Sequence, residues 1–273
     1  MTFSHKGYAD AVAHIPVDHC RCYCRCRGVD CPGAICGPAG GVVVGWGAGD
    51  GFGRSGNAVA LTLDDGDLTS IGLAPTAQGR VLLIACGALA HEVVALKRLN
   101  DWDHLDLQCL PANLHLYPDK ITAAVEKAVL DHRAQYDSIH VLYADCGTGG
   151  QLFEKCTELG VSMIEGPHCY SFFEGNAAFA LHLDTEFTAF YLTDFLVRQF
   201  DAFVWRPMGL DRHPQLRDMY FGNYTTLIYQ AQTNDPALDA KAADCAQRLG
   251  LAYERRFTGY GDLEPAMARA ALP

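Results

Sequence analysis

Positive charge is scarce in this sequence: 21 Lys and Arg stand against 32 Asp and Glu, for a net charge of -11 with His neutral. Duplex nucleic acid is therefore a poor partner, because phosphate binding needs clustered basic groups. Long apolar runs are also missing. The longest of the body, Val81 to Ala90, is ended by His91 and Glu92 and reaches about half of a membrane span. Met1 to Val17 holds one Lys among broken apolar runs, without the apolar h-region of a signal peptide. These absences predict a cytoplasmic protein with no nucleic-acid partner and no membrane partner. A hydrophobic content of 49% with 19% charged residues excludes a wholly disordered or fibrous chain.

Cysteine, by contrast, is abundant. There are twelve, and six of them (Cys20, Cys22, Cys24, Cys26, Cys31 and Cys36) fall within 17 positions. Cytoplasmic thiols are normally reduced, so metal binding, catalysis or plain burial explain them better than a disulfide framework. The amino-terminal tract matches no zinc-ribbon or ferredoxin spacing. It leads into eleven glycines between Gly28 and Gly56, a density that makes ordering costly in entropy. Residues 1–78 are expected to be a low-complexity, disordered or weakly ordered segment, and residues 79–273 a single Rossmann-like α/β domain.

From Arg80 onward, apolar runs alternate with helical patterns. Strands are predicted at 81–85, 105–110, 139–144, 161–164, 225–229 and 251–255, with a long helical region over 171–220 broken near Pro207 to Pro214. Strand, helix, strand at this spacing requires crossover connections, hence a mainly parallel, doubly wound sheet of about six strands with a helical insertion. The unit strand–loop–helix–Leu-Gly–strand occurs twice, with helix stops at Leu159-Gly160 and Leu249-Gly250.

Three cysteines lie at predicted strand ends: Cys86 after the first, Cys146 after the third and Cys169 just past the fourth. Open parallel sheets bind ligands outside the carboxyl ends of their strands, so the three sulfurs are candidates for one crevice. Cys86 and Cys146 also precede predicted helices, whose first amides stabilise a thiolate. One reading is a 4Fe–4S iron-sulfur cluster with three cysteine ligands and an open iron. The other is zinc bound by three Cys and one His, with His168 or His115 as the candidate. Plain burial competes with both, since free cysteine is often a small buried hydrophobe. For Cys109, Cys156 and Cys245, inside predicted elements, burial is the expected role.

Asp145 is a candidate general base or helix cap at the same mouth, and His115 a second catalytic candidate. Gly147, Thr148, Gly149 and Gly150 form a turn whose amides could cradle a phosphate or other anion. The turn is neither a P-loop nor a dinucleotide fingerprint. His91 and Glu92 read as solvated polar groups, and Phe187 to Phe200 as a core helix. Arg212 is a candidate anchor for a carboxylate or phosphate.

The segments ACGALAHE (Ala85 to Glu92), LPANLHLYPDKI (Leu110 to Ile121), YADCGTGG (Tyr143 to Gly150), GPHCYSFFEG (Gly166 to Gly175) and GLDRHPQL (Gly209 to Leu216) resemble the family called domain of unknown function 1638. That resemblance spans residues 80–273. It implies one-carbon metabolism, because members are often encoded near corrinoid-dependent methyltransferases of methylated amines and betaines. It transfers no catalytic residue. The leading expectation is a metal-binding enzyme of methyl transfer or redox chemistry, acting on a small molecule and working with a corrinoid protein or methyltransferase. Two others stand beside it: a metal-free cysteine enzyme moving protons across a small substrate, similar in outline to cofactor-independent amino-acid racemases, and a non-catalytic accessory module.

Overall fold

In a computed structural model, residues 63–182 and 185–272 are described. The amino-terminal cysteine tract and the glycine-rich stretch Gly28 to Gly56 lie outside them. The described chain runs α1 (Asp65–Ser70), β1 (Val81–Cys86), α2 (Ala90–Leu99), β2 (Leu105–Leu110), α3 (Ile121–His132), β3 (Ser138–Leu142), α4 (Gln151–Leu159) and β4 (Ser162–Met163). It continues through α5 (Ser171–Glu174), α6 (Asn176–His182), β5 (Ala189–Thr193), α7 (Asp194–Arg198), α8 (Arg217–Phe221), β6 (Thr226–Ala231), α9 (Pro236–Leu249), β7 (Ala252–Phe257) and α10 (Leu263–Ala270).

The described chain is α/β, and its seven strands pair in parallel with one another, but the expected single sheet is two. The first has the order β2-β1-β3-β4 and the second β5-β6-β7. In the first, Val81 pairs with Leu105 on one side and Ser138 on the other. All six residues of β1 are buried, as a central strand covered on both faces requires. Each fully buried Leu or Ile there contributes about 1.5–3 kcal/mol.

The extra strand is β5, inside the region read from sequence as helical. Ala189-Phe-Tyr-Leu-Thr193 is short and aromatic, which suits a pleated surface. Thr193 then caps α7, its hydroxyl accepting from the Leu196 amide. A strand and a short helix therefore replace the core helix expected over Phe187 to Phe200. Four apolar residues and a threonine are too short a run for periodicity to separate the two states.

The repeat read from the sequence is present as β3-α4-β4 and β6-α9-β7, one in each sheet. Gly160 and Gly250 close α4 and α9 in the left-handed region, at φ 67° and 74°, and each amide reaches back to two helix carbonyls.

The domain's amino edge lies earlier than residue 79. Leu68 of α1 is buried in the first core, and Leu73 forms an antiparallel bridge with Cys109. The buried Asp106 carboxylate accepts from the amides of Thr76 and Ala77, the Thr76 hydroxyl and the Tyr136 hydroxyl. Burial would raise its pKa, but these hydrogen bonds outweigh that and lower it. One acidic side chain in β2 thus docks a segment whose own composition has little drive to fold.

Candidate metal centre

Each strand of the first sheet delivers one candidate metal donor at its carboxyl end. Cys86 closes β1, His115 sits in a helical turn (Ala112–Leu116) after β2, Cys146 follows β3 and Cys169 follows β4. The Cys146 and Cys169 sulfurs are 3.1 Å apart. The donor atoms of His115, Cys146 and Cys169 all lie within 4.8 Å of one another. Cys86 Sγ is 3.1 Å from His115 Nε2, next to this group of three.

The backbone explains the convergence. The amide of Asp145 donates to the Gly166 carbonyl, and that of Cys146 to the Pro167 carbonyl, both at 3.0 Å. These bonds clamp the loop after β3 to the loop after β4 and bring the two cysteines together. Cys146 adopts φ 48°, a left-handed conformation that costs a non-glycine residue roughly 1–3 kcal/mol. Cys86 is the residue before a single helical turn (Gly87–Leu89), and its sulfur accepts from the Ala88 amide at 3.4 Å. Gly87 is required next to it, because a Cβ there would fall 2.3 Å from the Leu68 carbonyl oxygen.

The centre is enclosed. Cys86 is fully buried, and Cys146 and Cys169 are each 7% exposed. The His115 ring stacks on Tyr143 at 6.3 Å and 14°. Burial alone would lower its pKa, but the charges on Cys86 and Cys146 and the Cys86 hydrogen bond raise it to about 10. The Cys146 thiol is pushed well up, first by its hydrogen bond to Cys169, then by burial. Tyr143 is pushed up by burial, then by the sulfurs of Cys86, Cys169 and Cys146. Its hydroxyl is buried beside Cys86 yet makes no hydrogen bond of ordinary geometry.

The other candidates are not among these three donors. The His168 ring lies on Tyr170, 4.8 Å between centroids. Its pKa falls to about 4, through burial and then the His115 charge. Asp145 is engaged locally: its carboxylate accepts from the Thr148 hydroxyl at 2.8 Å, the Gly149 amide at 3.2 Å and the Gly150 amide at 2.7 Å. Those are the amides that could have cradled a phosphate, so the turn Gly147, Thr148, Gly149, Gly150 holds its own anion. Arg212 is largely exposed beside Asp211. A surface cavity of about 590 Å³ opens elsewhere, lined by His140, Met163, Asn176, Asp262 and Arg269 among others, and includes none of the four donors.

Glu92 departs from its expected solvated role. It is buried, with Oε2 unpartnered, and burial raises its pKa to about 7. His91 is paired with Asp65 at 2.8 Å. Tyr143 was not legible as a site residue at all. Its place within the YADCGTGG block, three residues before Cys146, was the available signal.

The profile of a family described as protein of unknown function (DUF1638) matches residues 109–267, more than half of the chain. The chain belongs to this family. The matched segment contains His115, Cys146 and Cys169, whereas Cys86 lies before it. Neither a curated protein nor a solved structure matches the chain. Among the described residues no helix is long and apolar enough to cross a membrane.

Proposed function

We propose that Cys146, Cys169, His115 and Cys86 hold a single zinc ion, and that this centre is where the protein acts. The observation that carries the reading is the convergence of four soft or borderline donors from four strand ends, three of them within 4.8 Å of one another. Three Cys and one His form a common zinc donor set. With Zn–S distances of about 2.3 Å, tetrahedral geometry sets ligand sulfurs roughly 3.8 Å apart. The Cys146–Cys169 pair, at 3.1 Å, reaches that by opening less than an ångström. An iron–sulfur cluster would need the sulfurs on separate irons and therefore farther apart, so the single ion is the better fit.

When bound, zinc supplies a Lewis acid that keeps its thiolates ionised and activates whichever ligand it exchanges. The chain's own residues do the rest. The clamped loops fix Cys146 and Cys169, and His115 gives up a proton to become a ligand. Tyr143 offers an unspent hydroxyl to the sulfur or ligand atom opposite it. Burial limits the water that reaches the sulfurs. We further propose, on the family resemblance alone, that the centre serves one-carbon metabolism of methylated amines or betaines, with a small substrate and a corrinoid protein or methyltransferase as partner.

The test is metal analysis after anaerobic purification. Zinc at about one per chain in the wild type, lost in Cys146→Ser and Cys169→Ser, supports the reading. Substoichiometric zinc and iron that do not change in those variants overturn it.

One observation favours a second reading. The 3.1 Å contact between Cys86 and His115 is a thiol–imidazole pair suited to metal-free proton transfer. That enzyme would keep its turnover after chelation and lose it on Cys86→Ser, whereas the zinc centre loses both metal and function on chelation.

A further inference from the structure

Cys146 and Cys169 are two free thiols in hydrogen-bond contact, at 3.1 Å, on loops clamped by backbone hydrogen bonds. A disulfide needs its sulfurs at about 2.05 Å, so closure requires a movement of about one ångström. Each residue retains 7% exposure, which leaves an approach for a small oxidant but not for a protein. Among the described cysteines, Cys109, Cys156 and Cys245 are also buried, but none is placed against a second sulfur in this way.

We propose that Cys146 and Cys169 are a reversible thiol–disulfide modification site for small hydroperoxides, and that its oxidation empties the metal centre. The first half rests on the geometry of the pair alone. The second half rests on the zinc reading above.

The chemistry balances in two steps. One thiol gives up its proton as its sulfur attacks the distal oxygen of the hydroperoxide; the O–O bond breaks, the alkoxide leaves as the alcohol after taking that proton, and the sulfur becomes a sulfenic acid. The sulfur of the other thiol then attacks that sulfur, the S–O bond breaks, and the departing hydroxide takes the second thiol's proton and leaves as water. Two thiols lose two electrons and two protons, and one hydroperoxide becomes an alcohol and a water. A dithiol reductant reverses the product by exchange. A disulfide sulfur carries no thiolate charge, so two of the four donors are withdrawn at once.

The experiment treats the full chain, zinc-loaded and chelator-stripped, with hydrogen peroxide, followed by non-reducing peptide mapping and a colorimetric zinc assay. The expected result is a Cys146–Cys169 cross-linked peptide in both forms, reversed by dithiothreitol, with zinc released from the loaded form in step with cross-linking. Bound zinc without a cross-link, or oxidation to sulfinic and sulfonic acids at the pair, overturns the proposal while the zinc reading stands. A cross-link in a protein that binds no zinc overturns the zinc reading and the coupling but leaves the thiol pair as a redox site. Cys169→Ser, checked for folding by circular dichroism, is expected to abolish the cross-link; persistence of a Cys146 disulfide to any other cysteine counts against the assigned pairing.

Discussion

The Cys86 sulfur and the His115 imidazole nitrogen meet at 3.1 Å across 29 residues of sequence. They do so because β1 and β2 are parallel neighbours, with Cys86 in register with Leu110. The two chains leave the sheet at the same level, and the short turn after β2 brings His115 back over the end of β1. The pairing ties Cys86 to His115, one of the three donors that lie within 4.8 Å of one another.

His115→Ala is therefore expected to weaken zinc binding more than a change outside the ligand set, which typically costs roughly 10–100-fold. Competition with a chromophoric chelator measures it. Wild-type affinity in this variant would remove His115 from the ligand set. His168→Ala is expected to bind zinc within about 3-fold of wild type, since that ring stacks on Tyr170 outside the group of three donors, and loss of a group that supports a ligand costs more than this.

Asp145 holds its turn through two amides and a hydroxyl. Asp145→Ala leaves these donors without their acceptor, and hydrogen bonds to charged groups contribute about 1.5–3 kcal/mol. Urea denaturation of the metal-free protein is expected to show a loss of that order. A catalytic base with no structural task would leave the midpoint unchanged.

Gly87→Ala is expected to destabilise the fold by about 1–3 kcal/mol, because the new methyl group must displace the Leu68 carbonyl or the turn that carries Cys86. The same change should reduce zinc affinity through Cys86. Thermal melts with and without zinc separate the two effects.

Glu92 gives the stability a pH dependence. Its pKa rises from 4.5 to about 7 on folding, so the folded state binds the proton more tightly than the unfolded state. Its contribution is fully present below about pH 4.5, declines as pH rises toward 7 and is lost above that. The whole span is on the order of 3 kcal/mol. Glu92→Gln should flatten this part of the profile and stabilise the protein at pH 8. An unchanged profile in the variant would contradict the assignment.

The α/β character, the parallel pairing and the Leu-Gly helix stops were legible because they follow from local periodicity and from residues that only certain conformations accept. The division into two sheets was not, because β5 is a run of only five residues whose state is decided by pairing with Thr226 to Gln230, a tertiary event. Cys86, Cys146 and Cys169 were visible because strand ends can be read along the chain. His115 stayed ambiguous beside His168, since the choice depends on how a turn folds back over a neighbouring strand. Glu92 looked solvated because a polar residue at that helix position usually is, and only the packing around α2 encloses it. The segment 63–78 looked weakly ordered because its partner, Asp106, lies 29 or 30 residues away.

X-ray absorption at the zinc edge of protein purified anaerobically tests the central claim most directly. Three sulfur scatterers at about 2.3 Å and one nitrogen at about 2.0–2.1 Å is the predicted shell. A shell of oxygen and nitrogen alone, or protein that carries no zinc at all, would contradict it.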